Sequence, residues 1–303
     1  MKIPGMIIAL LVSAVSVFAQ NCPENAKVVA PSMSVDAKAE NVKNIEAATL
    51  RYEAEPTADN LIWVGRRVAY LGRYKDAIGV FSKAIERFPK DARFYRHRGH
   101  RYITIRCFDD AIKDFEKAAA LIKGKPDEIE PDGMPNARNI PTSTLQSNIW
   151  YHLGLAYYLK GHFGKALKAY ENCQKVSKNN DMRVATTYWH YMTLRRMGKR
   201  SKAEKLLKGF ATDIEIIENA DYLNLLKLNK GEARAENLLS TIRGDANTLG
   251  SASLGYGIGN YFLYNGDMEK AVTIFRQIVA GNQWSSFGFI AAEAELGRQP
   301  GEQ

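Results

Sequence analysis

The stretches Gly65-Arg-Arg-Val68 and Gly99-His-Arg-Tyr102 begin on the same residue and lie 34 positions apart. The same offset joins Tyr74 to Phe108, Ala77 to Ala111, Phe81 to Phe115 and Ala84 to Ala118. Agreement in size class at one fixed spacing marks an internal repeat, and a repeat decides the architecture before any single helix is read. Small residues at Gly65 and Ala77 let two antiparallel helices approach closely, and Phe81 fills the gap towards the next unit. Pro89 cannot continue a helix and ends the unit. After an interruption the pattern returns as Trp150, Leu153, Gly154, Tyr157, Gly161, Phe163, Ala166 and Tyr170.

A helix–turn–helix of this length resembles the tetratricopeptide repeat. Gly65, Gly72, Tyr74, Ala77, Phe81, Ala84 and Pro89 carry the resemblance in the first unit. Gly99, Tyr102, Phe108, Ala111, Phe115 and Ala118 carry it in the second, which lacks the terminal proline. The resemblance implies an all-α superhelical solenoid in which each unit packs only on its neighbours. Such a stack escapes the limit of about 250–300 residues at which a single core stops growing. Residues 58–125 then hold units one and two, and residues 147–217 units three and four. In the fourth unit Tyr191 replaces the helix glycine, which predicts a looser contact there. Residues 218–251 read as a degenerate helical pair with Leu223, Leu226 and Leu228. Residues 252–298 hold a last unit, with Gly259, Phe262, Gly266, Ala271 and Phe275, and a closing helix that caps its apolar face.

The N-terminal residues predict export. Lys2 precedes an apolar run from Met6 to Phe18, and Val17 and Ala19 place small residues at a signal-peptidase site. Residues 1–19 therefore read as a signal peptide cleaved after Ala19, leaving no membrane span and a periplasmic or extracellular protein. Gln20 and Asn21 stand where a lipobox needs small residues, which argues against lipidation at Cys22. Removing Lys2 lowers the formal charge from +9 by one. Cys22, Cys107 and Cys173 are too few and too scattered for a disulfide framework. One bond is open to them and the sequence does not pair them; Cys173 falls on an apolar helical stripe and reads as core. Residues 20–57 read as a flexible leader followed by a capping helix with Val42, Ile45, Ala48 and Tyr52 on one side. Residues 126–146 contain Pro126, Pro131, Pro135 and Pro141 and no helical period, so they predict an insertion loop, solvated and packed over the groove. The carboxylates from Asp127 to Asp132 lack the spacing and bracing glycine of a calcium loop.

No catalytic or cofactor motif emerges. Gly255, Gly257 and Gly259 suggest a phosphate-cradling loop, but Asn260 follows where a dinucleotide fingerprint needs glycine, and the segment reads as helix. His97 and His100 share a helix face that His152 could approach, yet the three arginines between Tyr95 and Arg101 would repel a divalent cation. The resemblance instead implies a concave surface, lined by the first helix of each unit, that takes peptides. Its cationic half would comprise Arg66, Arg93, Arg96, His97 and His100, followed by Tyr151 and His152; arginine's planar fork suits carboxylates or phosphates. Its aromatic half would comprise Tyr188, Trp189, Arg195, Tyr256 and Asn260, with large contact area at little entropic cost. Against each half stands a plainer reading: arginines paired with acids of neighbouring units, and aromatics that pack between helices. Repeat proteins that clamp chaperone tails use asparagines and lysines where this chain has Arg66, Arg96 and His100, which argues against that ligand. The expected function is a non-enzymatic adaptor for an acidic segment of another protein, without cofactor. The alternative, from the positive charge, is a polyanion-binding module for a polysaccharide or cell-surface polymer; export disfavours nucleic acid.

Overall fold

Several helices begin on a side chain that caps them. Ser34 caps α1 (Val35–Ala54), Thr57 caps α2 (Ala58–Tyr70), and Asp91 caps α4 (Ala92–Thr104), each accepting from a backbone N–H of the first turn. Thr144 and Ser147 form a reciprocal capping box on α6 (Leu145–Leu159), and Asn179 caps α8 (Asn180–Arg196). Such caps contribute about 1 kcal/mol each. The second helices of the pairs are α3 (Tyr74–Arg87), α5 (Phe108–Leu121), α7 (Phe163–Val176) and α9 (Arg200–Lys208). They are followed by α10 (Ala220–Lys230), α11 (Ala235–Gly244), α12 (Leu249–Tyr264), α13 (Met268–Val279) and α14 (Phe287–Leu296). The structure is a computed structural model that describes residue 22 and residues 27–244 and 249–298. The signal-peptide expectation for residues 1–19 lies outside the described residues. Among them the regular structure is entirely helical apart from one isolated bridge, Ile129 to Thr144.

Within the pairs, one contact recurs. A side chain at Gly65 would collide with Phe81, at Gly99 with Phe115, at Gly154 with Tyr170 and at Gly259 with Phe275. In each case the aromatic lies sixteen residues on, so the second helix presses a ring against bare backbone of the first. At the same positions of α8 and α9 stand Tyr191 and Leu207, both buried. There the bulk has moved to the first helix, and the second carries the smaller residue. Glycines in the left-handed region make the turn between paired helices at Gly72, Gly161, Gly198 and Gly266. In the second unit Arg106 takes that conformation, with φ of 66°.

First helices stack on first helices: α2 on α4, α4 on α6, α6 on α8, then α10 and α12. They form the inner wall of a stack of hairpins, an all-α superhelical solenoid. Two segments depart from expectation. Residues 27–34, expected to be a flexible leader, are packed: Val28 and Val29 join the first-unit core, and Ala30 and Pro31 lie against Gly72. A disulfide between Cys22 and Cys107 ties this segment to the second unit, with a Cα–Cα distance of 5.0 Å, while Cys173 is a buried free thiol.

The closing helix does more than cap. α14 packs on α12 and α13, as a cap would, and also reaches α6 in the third unit. A side chain at Gly288 would strike the backbone of Ala252, so α14 and α12 touch main chain to main chain. Just before α14, Trp284 stacks on Tyr74 of the first unit at 6.2 Å. Arg106 covers the Trp284 ring at 3.7 Å, donates to the Trp284 carbonyl at 2.8 Å and pairs with Glu293 at 2.7 Å. The C-terminal segment therefore fills the inside of the superhelix and bridges its first and last units.

Candidate binding surface

That filling decides what remains of the inner surface. Phe287 enters between His100 and His152, with ring centroids 5.2 and 5.4 Å away. His100 and His152 lie 4.7 Å apart, and Tyr151 meets the edge of His152. Burial among these rings and the nearby arginines pushes His100 well below the usual histidine range and His152 down to about 3. Both are therefore neutral packing residues, and His152 donates from Nδ1 to the Asn148 carbonyl.

The aromatic half of the expected groove is interior. Tyr188, Trp189 and Tyr256 are each 1% exposed and Asn260 is fully buried. Trp189 stacks on Tyr256 and meets Tyr158 edge-on. Asn260 donates to the Tyr158 hydroxyl at 2.9 Å, and Tyr256 donates to the same oxygen. Beneath them, fully buried Glu295 of α14 pairs with Arg196 at 2.5 Å and Arg298 at 2.6 Å, which holds its carboxyl below the ordinary range despite burial. The expectation of an open aromatic face is thus corrected: α14 closes it, and the plainer reading of these rings as packing holds. Arg195 lies at the margin, over Tyr264 at 4.3 Å and donating to Asn265.

The cationic half is organised differently. Arg93 is matched by acids of its own surroundings, Asp91 at 2.6 Å and Asp59 of the preceding unit at 2.5 Å, which raise its pKa further. Arg96 is buried, and its partner comes from the insertion: Glu130 Oε2 lies 3.0 Å from Arg96 Nε. His97 accepts at Nδ1 from Arg96 and faces Glu130 Oε1 with Nε2 at 3.4 Å. Burial and the surrounding arginines hold His97 well below the usual range, so it is neutral and its proton sits on Nε2, towards the carboxylate. Asn148 donates to Glu130 Oε2 at 2.9 Å, the oxygen that also faces Arg96. Next along the loop, Arg66 donates to the Pro131 carbonyl at 2.7 Å while lying over Trp63. A side chain at Gly133 would collide with the Tyr70 hydroxyl and Arg66.

The insertion is therefore no solvated strap at Glu130. It is an extended acidic segment seated on Arg66, Arg96 and His97, with its carboxylate 8% exposed. Glu130 is the site residue that reading the sequence missed. Its signal was present in Asp127-Glu-Ile-Glu-Pro-Asp132, beside four prolines that keep the segment extended; what sequence could not supply was the fold-back that brings it to α4.

Paired helices stacked into a superhelix, with an inner wall that holds an extended segment by its carboxylate, define a helical-hairpin solenoid of the interaction-scaffold class. The chain carries tetratricopeptide repeats, which match at residues 65–127 and again at 147–180. No curated protein matches it in sequence. Among solved structures it is similar to a tetratricopeptide repeat protein from Parabacteroides merdae ATCC 43184, at 14% identity over 86% of this chain and 94% of that one, TM-score 0.49. It is also similar to YrrB, described as a TPR protein with an unusual peptide-binding site, at 16% identity over 83% and 99%, TM-score 0.44.

Proposed function

We propose that the chain is an exported, non-enzymatic adaptor that holds an acidic, extended segment of a partner protein along Arg66, Arg96 and His97. The observation that carries this reading is Glu130, a carboxylate on an extended segment that these residues already hold inside the same molecule. A partner segment of the same chemistry would take the place of residues 129–133. Export is supported by the apolar run from Met6 to Phe18 and by the Cys22–Cys107 disulfide, a bond that persists in oxidising compartments.

The test uses a fluorescent peptide copying residues 127–136. Gly133→Ala should unseat the insertion, so this variant should bind the peptide about tenfold more tightly than the unaltered chain. Adding Arg96→Ala should abolish the gain, and binding should weaken with salt. Peptide binding that ignores Arg96→Ala would overturn the reading. Retention on heparin that survives the same substitution would favour the polyanion alternative, whose attraction spreads over the whole basic surface.

A further inference from the structure

A cavity of about 500 Å³ lies on the inner wall, beside the Arg96 site and separate from Glu130. Arg67, Tyr70, Tyr74 and Arg101 form its floor, on α2, α3 and α4. Its remaining walls come from four segments outside the repeats: Ser32 of the leader, Asn41 of α1, Met134 of the insertion, and Asn282 before α14. No aspartate or glutamate lines it among the described residues. A smaller cavity of about 140 Å³ adjoins it through Tyr70, His100 and Arg101, and adds Arg66 and Arg96.

The two arginines of the floor are held by rings rather than by acids. Arg101 lies over Tyr74 at 5.8 Å, and Arg67 over Trp63 at 5.2 Å and Tyr70 at 5.9 Å. Neither has an ion-pair partner among the described residues, in contrast to Arg93, Arg96, Arg98 and Arg106 on the same helix or its turn. Stacking leaves the N–H edge of a guanidinium unspent, and that edge matches two oxygens of a carboxylate or phosphate. Burial and the nearby Arg96 and Arg66 push Arg101 down to about 10, so the cluster repels itself as it stands. An anion in the cavity would remove that cost.

We propose that this cavity binds a small organic anion, a carboxylate- or phosphate-bearing molecule read by the guanidinium groups of Arg67 and Arg101. Its volume suits a compact ligand. The leader, α1, the insertion and the C-terminal loop all contribute to its walls, so segments from both ends of the chain meet around the two arginines. The anion would be read by cations other than those of the peptide reading, since neither Arg67 nor Arg101 pairs with Glu130, although Met134 of the insertion belongs to its wall.

Isothermal titration of the intact chain with citrate and, separately, with inorganic phosphate tests the proposal, with the ligand-free melting temperature of each variant recorded. At least one anion should bind, and Arg101→Met and Arg67→Met should each weaken it by about tenfold, the worth of a charge-assisted hydrogen bond. Arg200→Met, at an exposed side chain away from the cavity, should leave binding unchanged. Which of the two anions binds decides between carboxylate and phosphate. A residue kept for a ligand should be dispensable to the empty protein, so Arg101→Met should melt no lower than the parent. Failure of both anions to bind, binding unchanged in Arg101→Met and Arg67→Met, or a melting temperature in Arg101→Met lowered by more than about 4 °C would each overturn it.

Discussion

Arg106 shows how one residue can be set against its own backbone. Other turns of the solenoid use glycine in the left-handed region, Gly72, Gly161, Gly198, Gly231 and Gly266 among them, and Arg106 occupies that region at φ of 66°. A side chain there costs about 1 kcal/mol. The return is long-range: Arg106 reaches the Trp284 carbonyl and the Glu293 carboxylate, 178 and 187 residues away. Arg106→Ala keeps the strain and loses the contacts; Arg106→Gly loses the contacts and the strain together. Urea unfolding should therefore find Arg106→Gly less destabilised than Arg106→Ala by about 1 kcal/mol; equal losses would remove strain from the account. At this scale much was legible. The glycine–aromatic contacts follow from the spacing of Gly65 and Phe81, and Cys173 is core as its stripe implied. The partners of Arg106 were not, because an ion pair across most of the chain leaves no local pattern.

Among elements, the regular hairpins were readable and the pieces between them were not. A repeat announces itself through periodicity, whereas α14 and the insertion take their positions from surfaces that exist only once the stack has formed. The sequence placed the closing helix on the last apolar face, and that contact is present. Its second role, inside the superhelix against Tyr74, His100 and His152, turned the supposed aromatic groove into core. The same bulky spacing serves groove and core alike, so Trp189 and Tyr256 could not reveal which they were. α14 therefore carries a structural weight that a peripheral cap would lack. A chain ending before Trp284 should expose the Trp189–Tyr256 stack, bind a hydrophobic dye and lose a single cooperative unfolding transition. A truncated chain that unfolded in one step near the parent's temperature would show that α14 is an ornament of the last unit.

For the molecule as a whole, the solenoid bends its inner wall around its own segments: α14 at the aromatic end, the insertion at the cationic end, the leader tied down by Cys22–Cys107. Glu130 is the element of that arrangement with functional content, since a buried charge pair is costly to assemble and weak evidence of stability alone. The claim that the cationic wall is a site for acidic segments, held for the moment by the chain's own, is tested most directly by hydrogen exchange across residues 126–146. The exchange is measured with and without a saturating acidic peptide. The Glu130 amide, which donates to the Ser143 carbonyl at 3.4 Å, should lose protection when the peptide binds, while α4 keeps or gains it. Peptide binding that leaves the insertion's protection unchanged would contradict that claim and place the binding surface elsewhere on the molecule.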